Sequence, residues 1–362
     1  MDVDADISAQ EEQALRESCT RSLHWHGARL PADLLRELPE DIVPDRYGEG
    51  GVVAELEAEV ATLLGKPAAA FLPSGTMAQQ IALRVHADRR GSRVVVFHPA
   101  CHVDLSEGKG YERLHGLVGR PAGNANRLLT LDDLRDVAEA PAALLLELPQ
   151  RDIGGQLPSW DDLLAQVAWA RERGAAVHMD GARLWSCGPF YDRTLAEIAD
   201  VFDTAYVSFY KQLGGITGCC LAGPDDVVAE VREWRLRHGG TLFALWPYAA
   251  SALSSLRRRL PSMPRYVNQA RAIAAAIKDL PGVEVVPDPP QAGMMHILLH
   301  APADRLRAAM LRLAREEGIW TWARGQPTAS PGVQEVELEV GEATLQFGPG
   351  EVRDVLQRLL AG

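Results

Sequence analysis

Four short polar clusters carry residue types that could do chemistry. Asp180 closes the apolar run "AAVHM", and Arg183 follows three residues later. A carboxylate at the end of a buried strand is costly unless a cation or several donors meet it. Lys211, in "VSFYKQLGGITG", follows a β-rich run, precedes a glycine-rich loop and stands outside any solvated charge run. A partly desolvated lysine can lower its pKa and attack a carbonyl. Ser74, Gly75 and Thr76 make a small polar turn where a helical stretch opens; free N–H groups and the helix dipole there bind anions, phosphate among them. His102, in "FHPACHVDLSEG", follows the apolar run 93–97. His98 lies four residues before it, the spacing of a metal pair on a helix, but no third ligand of suitable spacing accompanies them. Singly, each cluster also has a plainer reading: ion pair, surface lysine, N-cap or loop histidine.

The elements that must position these residues follow from periodicity. The runs 93–97, 142–148, 175–179 and 204–209 are β-rich or apolar throughout, and helical stretches near 131–139, 161–173 and 194–200 separate several of them. Strands apolar on both faces and spaced by helices predict an α/β fold with a mainly parallel sheet between helices. In such sheets ligands sit at the carboxyl ends of the strands, where all four clusters fall. A helix is expected over 50–65, and another from the Ser74 turn to near Gly91. Past about residue 245 the texture changes to proline-broken helices, then "VEVVPD", "MMHILLH", a helix near 303–317 and the alternating "VQEVELEV". The expected organisation is an N-terminal arm (1–20), a large domain (21–245) and a smaller α+β domain (246–362).

Composition bounds the partners. The net charge of -12, from 37 basic and 49 acidic residues, argues against nucleic acid or an anionic membrane surface. The acidic start "MDVDADISAQEEQ" has neither the charge nor the apolar run of a signal peptide, and no apolar run is long enough to span a bilayer. Five cysteines without paired spacing read as reduced thiols of a cytoplasmic protein, with Cys219 and Cys220 as small strand residues.

Together the four clusters fit one ligand. Pyridoxal 5'-phosphate needs a phosphate cradle, a lysine for its carbonyl, a carboxylate for its ring nitrogen and a flat partner for its ring. Ser74, Gly75 and Thr76 supply the cradle, Lys211 the amine, Asp180 the carboxylate and His102 the stacking ring. No metal is expected.

The same residues resemble a family. "FLPSGTMAQ", "HMDGARLW" and "YKQLGGITG", with Asp180 and Lys211 31 residues apart, resemble the threonine aldolase (β-eliminating lyase) family of fold-type-I pyridoxal phosphate enzymes. The likeness runs from "RYGEG" through "LGKPAAAFLPSGT" and "ELPQRDIGGQLP" to "WRLRHGG", and fades in the C-terminal third. It implies that Lys211, Asp180 and His102 are catalytic and that Arg183 lies near the cofactor's phenolic oxygen and the substrate carboxylate. Ser22 matches a serine that also reaches that carboxylate, and Tyr47 a tyrosine supplied across a dimer interface. A homodimer or homotetramer with interfacial sites follows.

The departures concern the substrate side. Gln150 and Arg151 stand where the family has histidine and asparagine near the substrate hydroxyl, and glutamine cannot act as a base. Tyr210 and Gln212 replace small residues flanking the lysine. "RLRHGGTLFAL" lacks an arginine after its glycines that the family uses as a phosphate contact, leaving Arg235 or Arg237 as substitutes. The C-terminal "EVELEVGEAT" lacks the family's arginine for the substrate carboxylate. The expected activity is Cα–Cβ cleavage of a threonine-like β-hydroxy-α-amino acid to glycine and an aldehyde, with His102 as base. The alternatives are another reaction of the same cofactor on an amino acid (β-elimination, transaldol transfer, racemisation or transamination) and a non-catalytic binding protein on the same fold.

Overall fold

The computed structural model describes residues 7–361; residues 1–6, the start of the acidic N-terminal stretch, and residue 362 lie outside the described residues. The chain divides into two compact units, one of Leu34–Pro261 and one of the segment up to Asp33 with Ser262–Gly362. The break expected near residue 245 falls inside the larger unit, where the helix Trp246–Arg259 packs on the helix Gly51–Leu63.

The larger unit is built on a seven-stranded sheet in the spatial order Ala68–Leu72, Cys219–Gly223, Thr204–Ser208, Ala176–Gly181, Ala143–Glu147, Val94–Phe97, Val118–Pro121. Only Cys219–Gly223 runs against its neighbours; every other adjacent pair is parallel. The apolar runs expected as strands are strands, buried along nearly their whole length. Cys219 and Cys220 are fully buried strand residues, small enough for the crowded sheet centre.

Two strands escape the periodicity argument. "AAAFL" has the alanine content of a helix and is a strand because it pairs along its whole length with Cys219–Gly223, a tertiary override of propensity. "VGRP" carries glycine and proline and survives as a strand because it lies at the sheet edge, where a missing N–H costs no ladder bond.

The helix Gly75–Arg90 matters most for the site. Ala78, Ile81, Ala82 and Val85, at helical spacing, bury against Tyr206, Leu221 and the helix Asp225–Arg237. It ends at Gly91, whose φ of 64° suits a residue without Cβ. A buried polar chain fixes it further: His86 Nε2 and His178 Nδ1 each lie 2.8 Å from Thr204 Oγ1, and His178 Nε2 lies 2.8 Å from Gln79 Oε1. Burial pushes both imidazoles down to about 3, so they stay neutral members of that chain. The helix is thus locked to the strands laterally, and its N-terminus is held at the sheet's carboxyl edge.

In the smaller unit, Gln326–Pro327, Gln334–Glu339, Met294–Leu299 and Val283–Val286 form an antiparallel sheet in that order. The helices Met263–Ile277 and Ala303–Glu317 both pack with Pro349–Ala361 or its neighbours in this unit. No helix among the described residues is long and apolar enough to cross a membrane.

Candidate active site

Five of the parallel strands end at one edge of the sheet, and the loops leaving them carry Ser74, His102, Gln150, Arg183 and Lys211. Near the ends of three adjacent strands, Glu147 is the register partner of Asp180 on the last rung they share, and Asp180 is the partner of Tyr206 one rung before the end. Partners in a parallel ladder point to the same face, so a carboxyl, a carboxylate and a phenol stand in one row.

Asp180 is 6% exposed, and its Oδ1 accepts the Ala182 N–H at 3.0 Å. Its backbone carbonyl accepts from Leu148 N–H, tying the next loop to the strand end. Glu147 accepts the His102 backbone N–H at 2.5 Å and the Gln150 amide at 2.8 Å. Burial, and then the Asp180 carboxylate on the next strand, push the Glu147 carboxyl up to about 7.

His102 opens the short helix His102–Leu105, so the stretch after His98 does turn helical, yet the two histidines face different partners. His98 Nε2 lies 2.7 Å from the Arg127 carbonyl, and its Nδ1 accepts from Ala100 N–H. His102 Nδ1 lies 3.0 Å from Glu107 Oε1, with the imidazole 33% and the Glu107 side chain 3% exposed. That bond raises the His102 pKa; burial and the Lys211 ammonium oppose it. A carboxylate at Nδ1 fixes the proton there and leaves Nε2 as the basic atom.

Gln150 was expected beside the substrate hydroxyl. Its amide nitrogen donates to Ala100 O at 3.0 Å and to Glu147 Oε2 at 2.8 Å, and the residue is buried. Both N–H groups are therefore committed to the protein, and Gln150 serves Glu147.

Ser74 is the N-cap of Gly75–Arg90, in extended backbone, and no side chain caps the first N–H groups of the helix. A Cβ on Gly75 would lie 2.3 Å from the Tyr206 hydroxyl, so only glycine lets the helix start come this close to the sheet. Thr76, half-buried, follows in the first turn. Lys211 is half-buried just past the strand Thr204–Ser208, its Nζ 5.8 Å from the Tyr210 ring centre and within electrostatic reach of His102 and Cys219. Arg183 is buried at the start of the turn Leu184–Ser186.

Ser22 and Tyr47 are the other two residues expected at the site. Ser22 belongs to the smaller unit, pairing with Trp320, and its Oγ accepts from His24 N–H. Tyr47 is half-exposed, packs edge-on against Phe243 at 5.3 Å, and donates its N–H to the Phe243 carbonyl. Arg235 and Arg237, the expected phosphate substitutes, are engaged elsewhere. Arg235 donates to the Phe71 carbonyl at 2.7 Å, and Arg237 pairs with Glu233.

Sequence reasoning passed over Glu147 and Glu107 as working groups. Glu147 ends an apolar run just as Asp180 does, so the signal was present. Glu107 lies five residues from His102, a spacing with no meaning until the short helix and turn fold it back.

The donor set fits pyridoxal phosphate. An uncapped helix start with a glycine pressed on the sheet can take the phosphate. A buried strand-end carboxylate suits a protonated ring nitrogen, and a half-buried lysine and imidazole flank it. Comparison with known proteins agrees. Residues 42–299 match the model of the beta-eliminating lyase family. The low-specificity L-threonine aldolase 1 of Arabidopsis thaliana is 26% identical over 307 residues, spanning 82% of this chain and 85% of the plant protein. The low specificity L-threonine aldolase of Escherichia coli K12 is 30% identical over 241 residues, 65% of this chain and 72% of that protein. A solved structure from Listeria monocytogenes EGD-E, provisionally described as an L-allo-threonine aldolase, is 37% identical with a TM-score of 0.91, covering 97% of this chain and 99% of that one. With 258 of its residues inside the family model and this site at its strand ends, the chain belongs to the beta-eliminating lyase family, as a fold-type-I, pyridoxal-phosphate-dependent lyase.

Proposed function

We propose that this enzyme cleaves the Cα–Cβ bond of a threonine-like β-hydroxy-α-amino acid, releasing glycine and an aldehyde. The observation that carries the reading is the His102–Glu107 pair at the strand ends, a base with its orienting carboxylate. Bound pyridoxal phosphate supplies an electron sink for the pair released at the substrate α-carbon. Lys211 would supply the amine that holds the cofactor through its carbonyl carbon. Asp180 would pair with a protonated ring nitrogen, and the Ser74–Thr76 turn would hold the phosphate. Arg183 takes the substrate carboxylate. His102 Nε2 accepts the β-hydroxyl proton, and the Glu107 carboxylate stabilises the imidazolium that results. Glu147, held by Gln150, anchors the His102 backbone and so sets where the imidazole starts.

The half-exposed Tyr47–Phe243 pair supports a second copy of the chain packing there, in a homodimer or homotetramer. Five free cysteines support a reducing, cytoplasmic setting. The test is to incubate purified protein with a panel of β-hydroxy amino acids and assay glycine and aldehyde. Release of both supports the proposal.

One observation favours a second reading. With Gln150 committed to Ala100 and Glu147, this chain brings no second base from that loop. Another reaction of the same cofactor that removes the α-proton, such as β-elimination, does not call for a base at a β-hydroxyl. Exchange of the α-proton of a substrate without a β-hydroxyl, in the absence of any aldehyde release, would establish it.

A further inference from the structure

The strand Thr204–Ser208 ends before Lys211, so the loop 209–218 rather than the sheet sets where the lysine stands. That loop closes on itself. Gly214 donates its N–H to the Lys211 carbonyl at 2.9 Å, Gly215 to Phe209 O at 2.7 Å, and Phe209 to Gly218 O at 3.1 Å. At its far end, Thr217 Oγ1 donates to Pro73 O at 3.2 Å, which ties the loop to the turn at Ser74.

Two side chains of the helix Trp246–Arg259 grip the same loop from outside. Arg259 donates from Nη1 to the Leu213 carbonyl at 2.7 Å, and Ser251 Oγ accepts the Ile216 N–H at 3.0 Å. Two helical turns separate them, about 12 Å along the axis, so the loop is held at two distinct points. Both are buried, Arg259 to 1% exposure and Ser251 to 6%. Taking a guanidinium out of water is unfavourable, and an apolar side chain of similar volume would fill the space without that loss. Arg259 does more than fill space: it fixes a carbonyl two residues beyond Lys211, inside the turn whose closing bond ends on the Lys211 carbonyl. A shift of that turn moves the lysine backbone, and a displacement of about 1 Å in a reacting group lowers its rate roughly a hundredfold.

We propose that Arg259 and Ser251 are positioning residues for Lys211, holding its amine, through the Leu213 carbonyl and the Ile216 N–H, where the cofactor's aldehyde carbon must come. The inference rests on the pyridoxal phosphate assignment above and adds to it how this chain places the amine. The step served is addition of the Lys211 amine to the aldehyde carbon. A carbon–nitrogen double bond forms, the two amine hydrogens leave with the aldehyde oxygen as water, and nothing is oxidised or reduced.

The experiment uses full-length protein freed of cofactor and compares two ligands. Pyridoxal 5'-phosphate can form that bond; pyridoxamine 5'-phosphate has the same ring and phosphate but no carbonyl. Bond formation is followed by absorbance and by peptide mass after borohydride trapping, and pyridoxamine phosphate affinity by tryptophan quenching. Arg259→Met should slow bond formation roughly ten- to hundredfold and leave pyridoxamine phosphate affinity within about twofold of wild type. Arg259→Lys, which keeps a donor and the charge, should recover part of the rate. Ser251→Ala should slow it about two- to tenfold, the size of one neutral hydrogen bond. Equal loss for both ligands means that the helix only supports the fold; that result, or an unchanged rate in Arg259→Met or Ser251→Ala, overturns the inference while the cofactor assignment stands. A wild-type chain that binds neither ligand, or is trapped at another lysine, overturns both. Ser251→Ala removes a single hydroxyl, so with unchanged melting it carries the test should Arg259→Met fail to fold.

Discussion

Replacing Glu107 by glutamine isolates what its charge does for His102. Glu107 Oε1 lies 3.0 Å from His102 Nδ1, and the side chain is almost wholly buried. Its Oε2 has no hydrogen-bond partner among the described residues, so the imidazole is the principal group answering that carboxylate. Glutamine keeps an oxygen for the Nδ1–H and removes the charge. A hydrogen bond to a charged group is worth about 1.5–3 kcal/mol and a neutral one about 0.5–1.5. The difference, about 1 kcal/mol after screening of the partly exposed imidazole, falls on the step proposed above, in which His102 becomes cationic. The expected loss in kcat/KM is about five- to tenfold at the pH plateau.

The pH dependence gives the sharper test of the same substitution. The Glu107 bond raises the His102 pKa, and the base form exists only above it. Without the charge the pKa falls, so the ascending limb of the kcat/KM profile moves to lower pH while the plateau drops. Steady-state aldehyde release from a β-hydroxy amino acid, over about pH 5 to 9, resolves both effects. An unmoved limb, or a change in KM alone, would refute the pairing of Glu107 with a catalytic His102.

Three further outcomes follow from the row at the strand ends. Asp180→Asn should keep the cofactor bound yet lower turnover roughly a hundredfold or more, read by steady-state kinetics with cofactor absorbance as the control. Gly75→Ala places a Cβ against the Tyr206 hydroxyl, so calorimetry should show a loss of about 1–3 kcal/mol and titration a weaker affinity for pyridoxal phosphate. Glu147 holds its proton up to about 7 in the fold, whereas the unfolded chain gives it up near 4.5. The folded state therefore binds more protons across that window, and stability falls as pH rises through it. Denaturation of cofactor-free protein should show this slope, and Glu147→Gln should flatten it whatever its offset.

The sheet was legible because its strands are buried on both faces and therefore apolar without interruption. The positions of Asp180 and Lys211 were legible because polar residues at the ends of such runs have few structural excuses. The groups that tune them were harder to find, each for a definite reason. Glu107 meets His102 only through a short helix and turn whose path no periodicity encodes. Tyr206 reads as one more aromatic strand residue; its hydroxyl gains meaning from Gly75, which lies 131 residues earlier and reaches it across the sheet.

Gln150 shows the converse difficulty. Its place in the sequence suggested a substrate contact, but the fold turns its amide onto Ala100 and Glu147. A glutamine can satisfy two buried acceptors at once, and the buried Glu147 oxygen needs a donor more than the solvent-facing side of the loop does. Glu147 in turn holds the His102 backbone. Gln150 therefore bears on the His102 backbone through Glu147, a carboxyl whose proton is held first by burial and then by the charge of Asp180.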